Sequence, residues 1–394
     1  MKIAILTSGV LPVPAVQGGA VETLVDLYLD YNDRHHLHDI TVYSLRHPGT
    51  SRHPALASAV NHYRYIDTTS QVARLRKYYY MKRHPGGYYH YSVEYFLGRV
   101  IRQLRRRQYD LIIVENRPGY VLRLRDSLDA RFVLHLHNDF LNADSREAKA
   151  VASGFDAVVS VSDFITRRVR TIAPDTTRCL TVCNAIDTRR FANAQPISRA
   201  SIGLADDDFL IVYSGRLTRE KGILELVQAV RRLSTVIPRL RLLVIGATAY
   251  GHDQHPTPFI EALRQAAKPV KERITFTGFI DYQEVPSYLK TGDVAVVPSM
   301  WDEPFGLTVL EAMAAGLPLI ATRSGGIPEI CEGIATIVDR ENIVENLASA
   351  IADLYADPER RHTMGTRLQE HARQFDKDTY ARNFFDALSL LDAK

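Results

Sequence analysis

The chain has 394 residues, 46% of them apolar and 24% charged, with a net charge of +4 and three cysteines. That length is long for one hydrophobic core and suits two domains of about 150–200 residues each, and the composition excludes a disordered or fibrous chain. Cys179, Cys183 and Cys331 form no CxxC pair, so neither a zinc site nor a disulfide framework is expected, which fits a reducing compartment; no apolar run approaches the ~20 residues of a membrane span. The charge is uneven: residues 1–190 hold 27 Lys+Arg against 18 Asp+Glu, a net of +9, and residues 191–394 hold 22 against 27, a net of −5.

The opening "MKIAILTSG" has an apolar run too short for a signal peptide and reads as a buried first strand. "GVLPVPAVQGGA" then leads to a helix whose apolar residues Val21, Leu24, Val25, Tyr28 and Leu29 keep helical spacing, with Gly18-Gly19 at its opening. This is not the GxGxxG dinucleotide fingerprint, which argues against a dehydrogenase. The strands "DITVYSL" and "NHYRYID" follow. Residues 71–107 contain ten Lys+Arg, one acid (Glu94) and seven tyrosines. Within them Val93, Phe96, Leu97, Val100, Ile101 and Leu104 form a helical stripe expected in the core. The preceding "RLRKYYYMKRHPGGYYHY" suits an anionic membrane interface or a polyprenyl-diphosphate acceptor better than a core. Nucleic acid is not an expected partner, since no recognised binding module is present and the second half is acidic.

"YDLIIVEN" and "RFVLHLHN" are further strands. The first ends at Glu115, Asn116 and Arg117; the second carries His135 and His137 on one face by alternation. A metal reading needs further ligands, which "HLH" alone does not supply. After "DAVVSVS" and "CLTVCN" comes the polar linker "RFANAQPISRASIGLADDD", whose Asp206-x-Asp208 reads as a solvated turn.

The pattern then restarts. "FLIVYSG" leads to Arg216 and Lys221 near a helix start, a pairing that suits a diphosphate. "RLLVIG", "RITFTGF", "VAVVPS", "PLIATR" and "ATIVD" are strands separated by helices. Strands that are apolar throughout and alternate with helices indicate an α/β protein with parallel sheets covered on both faces, whose ligands bind beyond the strands' carboxyl ends. In "WDEPFGLTVLEAMAAGLP" a helix opens at Gly306-Leu307-Thr308, with Glu303 just outside it and Glu311 a turn inside; carboxylates so placed suit hydroxyl-rich ligands. Gly325-Gly326 follows the next strand and lets backbone approach a ligand.

"SGRLTREKG", "RITFTGFI", "VPSMWDEPFGLTVLEAMAAGLPLIATRSGGIPEI" and the Glu-x7-Glu spacing resemble the donor-site motifs of glycosyltransferase family 4. The match is dense over 210–335 and sparser over 1–190, where "VENRPGY" with "HLHND" is similar to the surface-polysaccharide or spore-coat subgroup. The resemblance implies the GT-B fold, two Rossmann-like domains with parallel sheets facing an interdomain cleft. It divides the chain into an acceptor-binding domain 1–190, a donor-binding domain 191–372 and a helix 373–394 crossing back to the first. It implies retaining hexosyl transfer from a nucleotide sugar, UDP favoured over GDP, to a glycan or polyprenyl-diphosphate-linked acceptor. No metal or other cofactor is required, and the protein is cytoplasmic with peripheral contact at the inner membrane face.

By position, Arg216 and Lys221 bind the donor diphosphate and Glu303 the transferred sugar. Phe305, Gly306 and Leu307 supply backbone, Thr308 a phosphate contact, Glu311 a grip on ribose, and Gly278-Phe279-Ile280 a wall against the base. Gly18-Gly19 resembles the family's glycine loop. His137 lies beside the reacting sugar, and Glu115, Asn116 and Arg117 are on the acceptor side. Asn184 and Asp187 resemble the turn before the linker. A sugar-nucleotide epimerase of the same fold, or a nucleotide-sugar-binding protein without turnover, remains an alternative.

Overall fold

The computed structural model describes residues 1–83, 87–172, 178–247 and 257–391. Residues 84–86 of the basic, tyrosine-rich stretch and 392–394 of the last segment lie outside them. The chain forms two compact units. The first comprises Met1–Asn184 and the segment from Lys377; the second comprises Ala185–Asp376. The second unit thus begins at Ala185 rather than at 191. Asp187 caps the helix Thr188–Asn193 by accepting from the Arg190 N–H at 3.1 Å, and Thr188 donates to Asp376 at 2.6 Å.

Unit 1 is a seven-stranded sheet of β1 (Lys2–Leu6), β2 (Asp39–Leu45), β3 (Asn61–Ile66), β4 (Leu111–Glu115), β5 (Arg131–Leu136), β6 (Ala157–Ser160) and β7 (Cys179–Thr181), in the order β3-β2-β1-β4-β5-β6-β7. Unit 2 has six strands, β8 (Phe209–Ser214), β9 (Leu240–Ile245), β10 (Ile274–Gly278), β11 (Val294–Val297), β12 (Leu319–Thr322) and β13 (Thr336–Val338), ordered β10-β9-β8-β11-β12-β13. Every ladder is parallel. β4, β6, β11 and β12 are buried along their whole length, as expected of strands covered on both faces. The strand order reverses direction between β1 and β4 in one unit and between β8 and β11 in the other. Beyond the carboxyl ends of such a pair the flanking loops part and leave room for a ligand.

The stripe Val93, Phe96, Leu97, Val100, Ile101 and Leu104 is buried, as its spacing predicts. The helix Gln71–Arg83 before it leaves Val72, Leu75, Tyr78 and Tyr79 exposed among its cations. Asp208 departs from the expected solvated turn: it is buried, accepts from the Ala205 N–H at 2.8 Å, and pairs with Arg239 at 3.4 Å and Arg241 at 3.3 Å. Among the described residues no helix is long and apolar enough to cross a membrane.

The helix Lys377–Ser389 belongs to unit 1 and packs on the helix Ala20–His35. Phe384, fully buried, stacks on Tyr28 at 4.5 Å and lies 4.7 Å from the His135 ring. Phe384→Ala should therefore destabilise unit 1 by about 3–5 kcal/mol, the usual cost of emptying a buried aromatic site. The check is a denaturant midpoint, with Phe384→Leu falling less; an unchanged midpoint for the alanine variant would refute the anchoring role.

Candidate active site

In unit 2 three strand ends converge. After β8 the chain makes a short 3-10 turn, Arg219–Lys221, and enters the helix Ile223–Leu233 through Gly222. Gly222 has φ +68°, and a Cβ there would overlap the Pro298 carbonyl, so glycine is required for this turn to lie on the loop after β11. The Met300 N–H completes the junction by donating to the Glu220 carbonyl at 2.8 Å. The β11 loop is in turn held by β12: Thr322 and Ser324 each donate to the Ser299 carbonyl at 2.7 Å.

Glu303 sits in this frame, buried. Its Oε1 accepts from Lys221 Nζ and from Ser299 Oγ, both at 2.6 Å. Lys221 also lies 5.3 Å from the centroid of the Trp301 ring, an electrostatic match of cation and π-face. The Gly326 N–H donates to the Glu303 carbonyl at 2.8 Å. Gly325, at φ +56°, passes so close to the Glu303 backbone that a Cβ would clash. Three residues later Gly306 opens the helix Leu307–Ala314. Its carbonyl takes the Val309 and Leu310 N–H groups, and the N–H groups of Leu307 and Thr308 have no partner among the described residues. Such a helix start, close to the Lys221–Glu303 pair, suits an anion. The Phe305 side chain is buried and meets Phe375 edge-on at 5.9 Å, so only its backbone faces that start.

Lys221, Glu303, Gly306, Leu307, Thr308 and the Gly325-Gly326 turn are therefore brought together. Arg216 is exposed and forms a 3.5 Å pair with Glu220 instead. Glu311 answers to different partners. Burial raises its carboxyl to about 7, against smaller opposing effects of a hydrogen bond from Tyr282 and the charge of Arg190. Arg190 lies 5.1 Å from the Tyr282 ring centroid and donates to the Tyr282 carbonyl. Tyr282 follows Gly278, Phe279 and Ile280, which leave the end of β10 half-buried. Tyr282 and Arg190 escaped the sequence reading; their only signal was position, one in the loop after β10 and the other at the linker's start.

Unit 1 has a second cluster. Glu115, at the end of β4, is register partner to His135 of β5 and has no exposed surface. Its carboxylate accepts from Tyr28 at 2.8 Å, faces His135 Nδ1 at 3.1 Å and meets His137 Nε2 at 2.9 Å. Burial would push this carboxyl up, but the charge and hydrogen bonds of the two histidines prevail and hold it at about 2. His137 is pushed down to about 4, chiefly by burial and then by His135, against the pull of Glu115. A neutral His137 donating through Nε2 leaves Nδ1 as a bare acceptor, and that atom is buried with no partner.

Glu115 is thus corrected from an acceptor-side group to one lying beneath His137: with no exposed atom it does not meet an acceptor in this structure. Asn116, at φ +53°, accepts from the His137 N–H at 3.2 Å. Arg117 donates to the Ser8 carbonyl at 2.9 Å in the loop after β1. Gly18 and Gly19 close that loop at φ +74° and +102°, with Glu22 beside Gly19 bonded to Ser8 at 3.1 Å.

Glu115, His135 and His137 also form a group able to hold a metal, with one ligand atom from each within 4.8 Å of the others. The third ligand that "HLH" lacked is therefore present. The same closeness is explained by N–H···O hydrogen bonds, since each nitrogen facing the carboxylate lies at hydrogen-bond distance.

Residues 17–190 match the model described as Glycosyltransferase Family 4, and residues 194–371 that of Glycosyl transferases group 1. The chain is 28% identical to the putative glycosyltransferase YtcC of Bacillus subtilis, over 97% of this chain and 90% of that protein. It is 27% identical to spore coat protein SA of the same organism, over 94% of each. Among solved structures, Anabaena Alr3699/HepE in complex with UDP aligns with a TM-score of 0.74 at 21% identity, covering 99% of this chain and all of that one.

The raised Glu311 carboxyl sets a pH dependence. A carboxyl raised in the folded state stabilises while protonated, so its contribution is full below about 4.5 and is lost as pH rises towards 7. Glu311→Gln lacks that loss. Its melting temperature relative to the parent should climb between pH 4.5 and 7, by the equivalent of up to about 3 kcal/mol, and then level off. A pH-independent difference would contradict the assignment.

Proposed function

The chain belongs to the GT-B glycosyltransferases, and from that premise we propose that it transfers a hexose, with retention at the anomeric carbon, from a nucleotide sugar to a glycan or polyprenyl-diphosphate-linked acceptor of a cell-surface polysaccharide. UDP is favoured over GDP as the carrier. The observation that carries the reading is the Lys221–Glu303 pair, its carboxylate buried, beside the Leu307 and Thr308 N–H groups, which have no partner among the described residues. A cation and two aligned donors suit the diphosphate, and the adjoining carboxylate suits sugar hydroxyls.

In this reading unit 2 holds the donor. The bond from the anomeric carbon to the diphosphate oxygen breaks, the acceptor oxygen forms its bond to that carbon on the same face, and the acceptor's proton passes to the departing diphosphate. Lys221, Arg216 and the helix start stabilise the negative charge that develops there. That role for Arg216 needs its pair with Glu220 to open when donor binds; at 3.5 Å on an exposed surface such a pair is weak, and the exchange costs little. Glu311, with Tyr282, takes the ribose. Unit 1 supplies the acceptor side, with Arg117 and Asn116 around the loop after β1. The Nδ1 of His137, buried in this structure, accepts a hydrogen bond from a sugar hydroxyl once donor binding uncovers it, and Glu115 holds the ring in the tautomer that makes this possible. The exposed apolar and basic face of Gln71–Arg83 suits peripheral contact with an anionic membrane on the cytoplasmic side. The protein's own cations and N–H groups answer the leaving group's charge, so no metal is assigned a step.

Nucleotide release from UDP-hexoses and GDP-hexoses, with and without acceptor extracts, tests the reading, and NMR of the product tests retention. Conversion of the sugar nucleotide without acceptor would favour the epimerase. Binding without release would favour a non-catalytic protein. Arg216→Ala should lower kcat by about 100-fold or more with an unchanged melting temperature. Full turnover in that variant would sink the diphosphate assignment.

Glu115→Gln should lower kcat by about 10- to 1,000-fold with little change in KM for donor, as expected when a histidine loses the group that sets its tautomer. Activity should survive exhaustive chelation; loss restored by a divalent ion would assign Glu115, His135 and His137 to a metal instead.

A further inference from the structure

The helix Tyr91–Leu104 buries one face on the sheet of unit 1 and carries Arg99 and Arg102 on the other; Arg106 and Arg107 follow in the turn after it. With Arg64 of β3, the edge strand, and Gln103, these arginines line a hollow of about 450 Å³. No acidic side chain lines it. Among the described residues none of the five guanidinium groups has a carboxylate partner. Neighbouring arginines do: Arg123 meets Glu94 at 2.8 Å and Arg125 meets Asp156 at 2.7 Å.

Arginine does not lose its proton in proteins, so the hollow holds five permanent positive charges. The C-terminal dipole of the helix offers roughly half an elementary charge of the opposite sign, too little to balance them. Helix capping therefore does not account for the cluster. Nor does packing, since the apolar residues of the same helix already fill the core face. What five converging forks and one amide match is a group with many anionic oxygens, which guanidinium binds two at a time. The volume falls within the range of small-ligand sites, about 300–1,000 Å³.

We propose that this hollow is a binding site for a phosphoryl-rich anion, either a free polyphosphorylated solute or the head group of an anionic phospholipid. It shares no residue with the donor cluster or with the Glu115–His137 group. It stands whether or not the glycosyl-transfer reading does.

The test uses the full chain carrying Lys221→Ala, so that the donor-side cation does not contribute. Calorimetric titration with inorganic tripolyphosphate is compared between this protein and one also carrying Arg102→Gln and Arg106→Gln. A charge-matched control carries Arg52→Gln and Lys149→Gln, two exposed cations outside the hollow. The expected result is a loss of affinity of about tenfold or more in the hollow variant and little change in the control, at matched salt and with both variants folded by thermal melting.

Cosedimentation with phosphatidylcholine vesicles, with and without phosphatidylglycerol, distinguishes the two sources. Loss of the phosphatidylglycerol-dependent fraction in the hollow variant supports a lipid head group. Its retention, with tripolyphosphate binding lost, supports a free solute. Unchanged binding of both probes, or an equal loss in the control, overturns the proposal.

Discussion

A parallel strand covered by helices on both faces has its side chains committed to the core and its amides committed to its neighbours. Chemistry is left to the residues at or just past the carboxyl ends, and this constraint places most groups of the two clusters. Ser8 follows β1, Glu115 closes β4 and His137 follows β5. In the second unit Arg216 follows β8, Ser299 and Glu303 follow β11, and Gly325 follows β12. The loops are mutually braced by backbone and hydroxyl hydrogen bonds, so that the carboxylates and the lysine are held by the frame.

Three buried glutamates show how partners decide what burial does. Glu115 faces two histidines and a tyrosine and stays ionised. Glu303 is neutralised directly by Lys221. Glu311 has a phenol for a neighbour and a more distant guanidinium, and its carboxyl is raised. Desolvation acts on Glu115 and Glu311 alike; what differs is the positive charge or donor that each position brings within reach. A protonated carboxyl both donates to and accepts from hydroxyl groups, whereas a carboxylate paired with a lysine accepts from them.

Much of this was legible in the chain. Apolar strands alternating with helical stripes indicate the parallel sheets, and the restart after the linker indicates two units. Lys221, Glu303 and the opening at Gly306 were legible because they fall at strand and helix boundaries. Glu115 beneath His137 was not: their contact depends on β4 and β5 being neighbours in register, a relation between segments that no single stretch encodes. The partnership of Tyr282 and Arg190 with Glu311 is hidden for the same reason. Asp208 looked solvated because Asp206 and Asp207 beside it are polar too, while its partners Arg239 and Arg241 lie on either side of the start of β9. The arginine hollow combines a helix surface with an edge strand distant in sequence, so the run of arginines was visible and its concavity was not.

The chain passes from the first unit to the second at Asn184 and returns at Lys377. The second unit is thus an insertion, and the first is assembled from two segments separated by the whole of it. During synthesis on the ribosome, Tyr28 and His135 emerge long before Phe384, the ring that covers them. The first unit must wait with that patch of its core uncovered while the entire second unit is made. The Glu115–His137 cluster beneath that patch is covered only when the helix Lys377–Ser389 arrives, so a ribosome that stops early releases a chain with a finished second unit and an unfinished first.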